Sequence, residues 1–235
     1  MKESPKRILL KLSGEALGEN GQLFDQAMIL RVGKILSDVA ATGAQLGVVI
    51  GAGNIWRGRQ SKEMDAVTAD HMGMLGTVIN CLCMRDAVER TGGHAVVFSA
   101  IDMPRVCESY NVQSARQAMA EGKVVFFAGG SGNPFFTTDT AVVLRAAEMQ
   151  ADMLLLAKNV DGVYTADPNK DPNAQLIPDI SYAEALERRL RVMDTAAFAM
   201  LTEQAIPMVR VFGLAEPENI LKVIAGDPRG TVLHP

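Results

Sequence analysis

The chain has 235 residues, 48% of them hydrophobic and 21% charged, with a formal net charge of −4. That balance excludes a disordered chain, which needs low hydrophobicity and high charge, and it offers no broad cationic footprint for nucleic acid. No apolar run approaches the ~18–20 residues of a bilayer span, so neither nucleic acid nor a membrane is expected as a partner.

In chain order, RILLKL at 7–12 reads as a first strand and not as a signal peptide, because its apolar stretch is short and broken by Lys11. Ile29, Val32, Leu36 and Val39 keep one helical face, and a strand follows at 46–50. Leu75, Val78, Ile79 and Leu82 keep another helical face at i, i+3, i+4 and i+7. Strands come next at 95–99, 124–128 and 153–157. Residues 163–180 carry Pro168, Pro172 and Pro178 among Asp and Asn, which predicts a loop or hairpin excursion. A strand at 208–212 precedes a last helix, with Pro217 in its first turn, Ile220, Leu221 and Ile224 on one face, and Gly226 as its stop. Most strands are continuous apolar runs, as in a parallel sheet buried on both faces. Strands alternating with helices predict an α/β fold with helices on both sheet faces. No tether, charge block or repeat divides the chain, so one domain (1–235) with two lobes is expected, the first ending near Gly122. Cys81, Cys83 and Cys107 fit neither a disulfide framework nor zinc spacing. They predict reduced, mostly buried thiols in a cytoplasmic protein.

Ligands of open α/β sheets bind beyond the carboxyl ends of strands, so the loops there carry the functional information. They read KLSGE at 11–15, GAGNIWRG at 51–58, GGSGNPFFTTD at 129–139 and KNVDGVY at 158–164. Glycine lets backbone N–H groups approach a ligand closely, and such groups bind phosphate oxygens. Lys11, Arg57 and Lys158 can supply countercharge. The sum predicts a polyphosphate site. The pattern GxxxxGK[ST] is absent. A dinucleotide GxGxxG is nearly met by Gly51 and Gly53, but Trp56 stands where the third glycine allows close packing. HRD and DFG motifs are absent too.

KLSGE, GAGNIWRG, DHMGML at 70–75, SGNPFFTTD at 131–139 and VDGVYTADP at 160–168 follow one another in that order. Together they resemble the bacterial uridylate kinases of the amino acid kinase superfamily, over essentially the whole chain from Lys6. VDGVYTADP marks the superfamily; DHMGML with GNPFFTTD is much narrower. The resemblance implies a three-layer α/β/α sandwich around a mainly parallel eight-stranded sheet. It implies transfer of the ATP γ-phosphate to UMP with Mg²⁺, in pyrimidine nucleotide synthesis, by a homohexamer. Many members answer to GTP and UTP as effectors; the polar turn at 18–22 differs from glycine-richer versions, and regulation is not read from it.

The resemblance also assigns residues. Arg7, Leu9 and Lys11 share a strand face, and by itself Lys11 reads equally as a ligand contact or as a strand-end lysine reaching water. The family makes it the γ-phosphoryl contact, within an ATP set of Lys11, Leu12, Ser13, Gly14, Gly53, Arg57, Asn159, Tyr164 and Asp167. The UMP set is Ala52, Asp70 and the wrap Ser131, Gly132, Asn133, Pro134, Phe135, Phe136, Thr137 and Thr138. Ala52 replaces a glycine common at its position and disfavours a positive φ. Asp70 would hold the ribose hydroxyls, its alternative being a helix cap. Phe135 and Phe136 are expected half in the core and half on the pocket wall. Asp139 would orient Lys11 and help organise the metal, its alternative again a cap; with Lys11 and Arg57 it forms the catalytic set. Mg²⁺ is held mainly by nucleotide phosphates. A phosphate role for Lys158 stays open, His71 and Arg59 read as structural and surface residues, and Asp194 as a helix cap. An amino acid acceptor would need neither Asp70 nor the long wrap. A non-catalytic binding protein would be marked by loss of Lys11 or Asp139, and both are present.

Overall fold

The computed structural model describes residues 7–18, 22–56, 63–190 and 192–235. β1 (Arg7–Leu12) leads through a 3₁₀ turn (Gly14–Leu17) to α1 (Gln26–Ala41), β2 (Gln45–Ile50), α2 (Ala66–Arg90), β3 (Ala95–Ser99), β4 (Glu108–Ser109), α3 (Val112–Ala120) and β5 (Val124–Ala128). Then come α4 (Thr138–Met149), β6 (Met153–Lys158), β7 (Val163–Tyr164), β8 (Leu176–Ile177), β9 (Asp179–Ser181), α5 (Tyr182–Glu187) and α6 (Thr195–Glu203). β10 (Val209–Gly213), α7 (Asn219–Ile224) and β11 (Thr231–His234) finish the chain. All six predicted strands are present, three of them with the predicted bounds.

The main sheet has nine strands, in the order β4-β3-β5-β2-β1-β6-β10-β11-β9, where eight were expected. The edge strands β4 and β9 are two and three residues long, too short for a recognisable pattern. Among the described residues only the β10–β11 pairing is antiparallel within it. The proline-rich excursion is a hairpin of β7 and β8, from which β9 returns to the sheet edge.

Two cores make three layers. Ile8, Leu10 and Leu12 of β1 pack with α1, α2 and α7 on one face, while Leu9 packs with α3, α4, α5 and α6 on the other. This is why β1 reads as a continuous apolar run: both faces are covered. Lys11 is on the Leu9 face by alternation. On α2 only Val78 of the predicted face is fully buried, whereas Leu75 and Ile79 are each 48% exposed. α7 begins two residues after Pro217, which sits in the preceding turn, and Gly226 at φ +96° ends it. Cys81 and Cys107 are buried free thiols, and Cys83 is a half-buried one.

β1 lies mid-sheet. The chain leaves it for β2 on one side and returns on the other side, at β6, only after α4. β1, β2, β5 and β6 are parallel, so their carboxyl ends share one rim. In open α/β sheets this divergence of connections is where ligands bind. Among the described residues no helix is long and apolar enough to cross a membrane.

Candidate active site

Lys11 projects from the carboxyl end of β1, and its Nζ lies 3.0 Å from Asp139 Oδ1, with the side chains 15% and 19% exposed. Asp139 does not cap α4. Thr137 does, its Oγ1 accepting the N–H groups of Asp139 at 3.1 Å and Thr140 at 3.3 Å. Asp139 therefore keeps its carboxylate for Lys11 while sitting in the first turn, where the helix dipole favours negative charge. Its Oδ1 is buried and accepts no aligned hydrogen bond, so the contact with Lys11 is electrostatic. A hard carboxylate oxygen with spare acceptor capacity fits a magnesium ion brought in by phosphates.

Lys158, at the end of neighbouring β6, shares this charge environment. Burial lowers its pKa, Asp139 opposes that, and the Lys11 charge adds to it. Its Nζ donates to the Val192 carbonyl.

The loops after β1 and β2 interlock. A Cβ on Gly14 would lie 2.3 Å from both Asn54 Oδ1 and the Gly51 carbonyl, so only glycine fits there. Asn80, fully buried on α2, donates to the Gly51 carbonyl at 2.7 Å and exchanges hydrogen bonds with Asn54 at 2.9 and 3.2 Å. The sequence reading missed Asn80; its signal was an amide set among Val78, Ile79, Cys81 and Leu82. Ala52 adopts no positive φ, and its Cβ takes the space opened by Gly76 on α2. Ser13 caps the 3₁₀ turn, accepting the Glu15 N–H at 3.4 Å. Trp56 is anchored by an indole N–H bond to the Ala69 carbonyl at 2.9 Å. Arg57 and Arg59 lie outside the described residues, as do residues 19–21 of the polar turn.

Between β5 and α4, residues 129–137 form an open wrap. Gly129, Gly130 and Gly132 hold φ of +75°, +60° and +81°, values that a side chain would strain. Gly129 N–H donates to Thr77 Oγ1 at 2.8 Å. Phe135 is left-handed as well, at φ +69°, and its N–H donates to Asp70 Oδ2 at 2.6 Å. A phenylalanine in that region is uncommon, and such outliers gather at ligand clamps. Asp70 is no cap: Asp65 caps α2, accepting the Thr68 N–H at 2.8 Å. Phe135 and Phe136 are 71% and 51% exposed, so neither belongs to the core. Thr138 begins α4 close to Gly51.

The wrap is tied to α6 through Asp194. That carboxylate caps α6, accepting the Ala197 N–H at 2.9 Å, and also accepts the hydroxyls of Thr137 and, at 3.2 Å, Thr140. Burial pushes its pKa up, but these hydrogen bonds outweigh burial and the net shift is downward. Tyr164 and Asp167 line a cavity of about 530 Å³ with Pro168, Lys170, Arg188 and Leu190. Asn159 lines a separate cleft of about 270 Å³ with Glu15, Met28 and Pro217, and donates to Glu15 at 3.2 Å. The structure thus brings Lys11, Asp139 and Lys158 together, and joins Asp70 to the wrap.

The chain matches the amino acid kinase family over residues 6–210. It is 48% identical to a uridylate kinase of Brucella anthropi over 235 residues, covering 99% of this chain and 98% of that one. Among solved structures, the UMP kinase of Bacillus anthracis superposes with a TM-score of 0.92 at 36% identity, covering 99% of this chain and 97% of that one. The UMP kinase of Ureaplasma parvum gives 0.92 at 34% identity, with 98% and 99% covered. With the motifs in order, the sheet topology and full-length similarity in agreement, the chain belongs to the amino acid kinase family, in its uridylate kinase branch.

Proposed function

We propose that this chain transfers the γ-phosphate of ATP to UMP, giving ADP and UDP, and so serves pyrimidine nucleotide synthesis in the cytoplasm. The observation that carries the reading is the Lys11–Asp139 pair at the rim of β1, with Asp139 following directly on the wrap that Asp70 holds. ATP occupies the side of the Tyr164 and Asp167 cavity, with Leu12, Ser13, Gly14, Gly53 and Asn159 along its path; UMP lies under the wrap, against Ala52. The two expected lobes, acceptor (1–122) and donor (123–235), share one sheet, since β5 lies between β3 and β2, and in this reading each contributes residues to both nucleotides.

The nucleophile is a phosphate oxygen, whose second pKa is ~6. It is largely ionised at neutral pH, so no general base is required. Catalysis reduces to holding two polyanions in line and neutralising charge on the transferring group. Lys11 places its ammonium there, and Asp139 keeps that ammonium oriented. Arg57, whose planar fork suits phosphates, is assigned to bridge them. Mg²⁺, held by the nucleotide phosphates with Asp139 nearby, supplies Lewis-acid charge neutralisation when bound. Lys158 adds positive potential at the rim.

The chain works as a homohexamer in this reading, with GTP and UTP as the effectors to test. Met72, Leu75 and Ile79 form an exposed apolar stripe on α2, which supports self-association.

The test is ADP release from ATP and Mg²⁺ with UMP, CMP, deoxy-UMP, aspartate and acetylglutamate as acceptors. Strong preference for UMP is expected. Turnover on an amino acid with none on UMP overturns the acceptor assignment. Silence with all five in a folded, ATP-binding protein favours a binding role.

A further inference from the structure

Arg145 on α4 is only 3% exposed, and nothing in the phosphoryl chemistry above uses it. Its Nη1 donates to Glu148 Oε2 at 2.5 Å, and its guanidinium carbon lies 3.8 Å from the centroid of the Tyr110 ring. The Tyr110 hydroxyl donates to the same Glu148 oxygen at 2.5 Å. Tyr110 in turn packs edge-on against Phe127 of β5, 5.8 Å between centroids. Arg116 Nε clamps the Glu148 carbonyl at 2.9 Å. The guanidinium therefore has little freedom to rotate.

Its remaining contact leads out of this cluster. Nη2 donates to the Gly130 carbonyl at 3.4 Å, in the middle of the left-handed glycine segment. Nε is buried without a partner. A buried ion pair with an unfilled donor is weak ground for stability, since apolar residues of similar volume often serve as well. A role in geometry accounts better for a charge held here.

The geometry follows from the peptide itself. In a trans peptide the C=O and the next N–H point in opposite directions, and no cis bond occurs among the described residues. Drawing the Gly130 oxygen towards Arg145 turns the Ser131 N–H away from α4. Among the described residues nothing accepts a hydrogen bond from that N–H. The glycine φ values permit several orientations of this peptide, so the carbonyl needs an external hold.

We propose that Arg145 is a positioning residue for the acceptor: it fixes the Gly130–Ser131 peptide so that the Ser131 N–H is presented to the acceptor nucleotide. This rests on the reading of the wrap as the UMP site. Glu148 and Tyr110 hold the guanidinium, and the guanidinium holds the loop.

The experiment compares steady-state kinetics of the wild type, Arg145→Met and Arg145→Lys, with melting temperatures. Arg145→Met is expected to raise KM for UMP by about tenfold or more, with KM for ATP within about twofold. Arg145→Lys keeps the charge but cannot reach Glu148 and Gly130 together, and is expected to recover part of the loss. Should Arg145→Met not fold, Arg145→Lys and Tyr110→Phe carry the test, both expected to raise KM for UMP selectively. A lower melting temperature with unchanged KM for UMP, or equal rises in both KM values, overturns the proposal. A wild type without turnover on UMP overturns the functional reading instead.

Discussion

Removing the Lys11 ammonium takes a countercharge from the polyphosphate and leaves a largely buried Asp139 facing two phosphates. Lys11→Met is expected to lower kcat by about 10²–10³-fold, the scale of a lost preorganised donor, with an unchanged circular dichroism spectrum; near wild-type turnover would remove Lys11 from the site. Asp70→Asn keeps an oxygen for the Phe135 N–H but loses the charge offered to ribose. KM for UMP should rise several-fold and KM for ATP should not, and equal changes in both would remove Asp70 from the acceptor side. Asp194 answers to pH. Its folded pKa is depressed, so its stabilisation is fully present above the ordinary carboxylate value of ~3.9 and is lost as pH falls through the folded value. Asp194→Asn should therefore flatten the acid arm of the stability profile below about pH 4, and an unchanged arm would refute it. Motif order singled out Lys11, Asp139, Asp70 and the wrap, and the fold pairs Lys11 with Asp139 and Asp70 with the wrap. Asp194 was read as a helix cap, as found, but its reach to Thr137, like the contacts of Asn80, Thr77 and Arg145, was not legible, because each acts on a partner 15 to 57 residues away in sequence. Local pattern records that a residue is polar, not what it reaches.

α2 shows where element-scale reading stops. Its apolar spacing predicted one inward face, yet Leu75 and Ile79 point outward while Val78 packs inward. Periodicity reports that a surface is covered and is silent about whether the cover belongs to the same chain. If the stripe is an intersubunit surface, the double substitution Leu75→Glu and Ile79→Glu should lower the sedimenting mass and leave the far-ultraviolet spectrum intact; a mass unchanged by two buried carboxylates would place the stripe outside any interface. Strand recognition failed in a different way. The long strands announced themselves as apolar runs, but the edge strands β4 and β9 form because a neighbour offers open backbone groups. Their shortness also leaves little edge for another chain to extend.

Across the whole molecule, the alternation of strands and helices was enough for the α/β class, and the loops at strand ends were enough for a phosphate site. Strand order was beyond reach, since it depends on pairings between distant segments. That order has a consequence for synthesis. β1 is completed by residue 12, yet β6, which covers its second edge, begins about 140 residues later, on the order of 10–30 s at ribosomal rates of ~5–20 residues per second. Until then β1, whose Ile8, Leu9, Leu10 and Leu12 are fully buried in the finished fold, has an open flank, and the Lys11 rim lacks Lys158. A nascent chain arrested before residue 150 should be cleaved readily by protease and should recruit chaperones, while one extended past β11 should resist. Equal resistance at both lengths would mean that the amino-terminal strands close on themselves. The central strand that carries Lys11 is thus also the segment that waits longest for its partner, and the cell's holdases are the natural guardians of that interval.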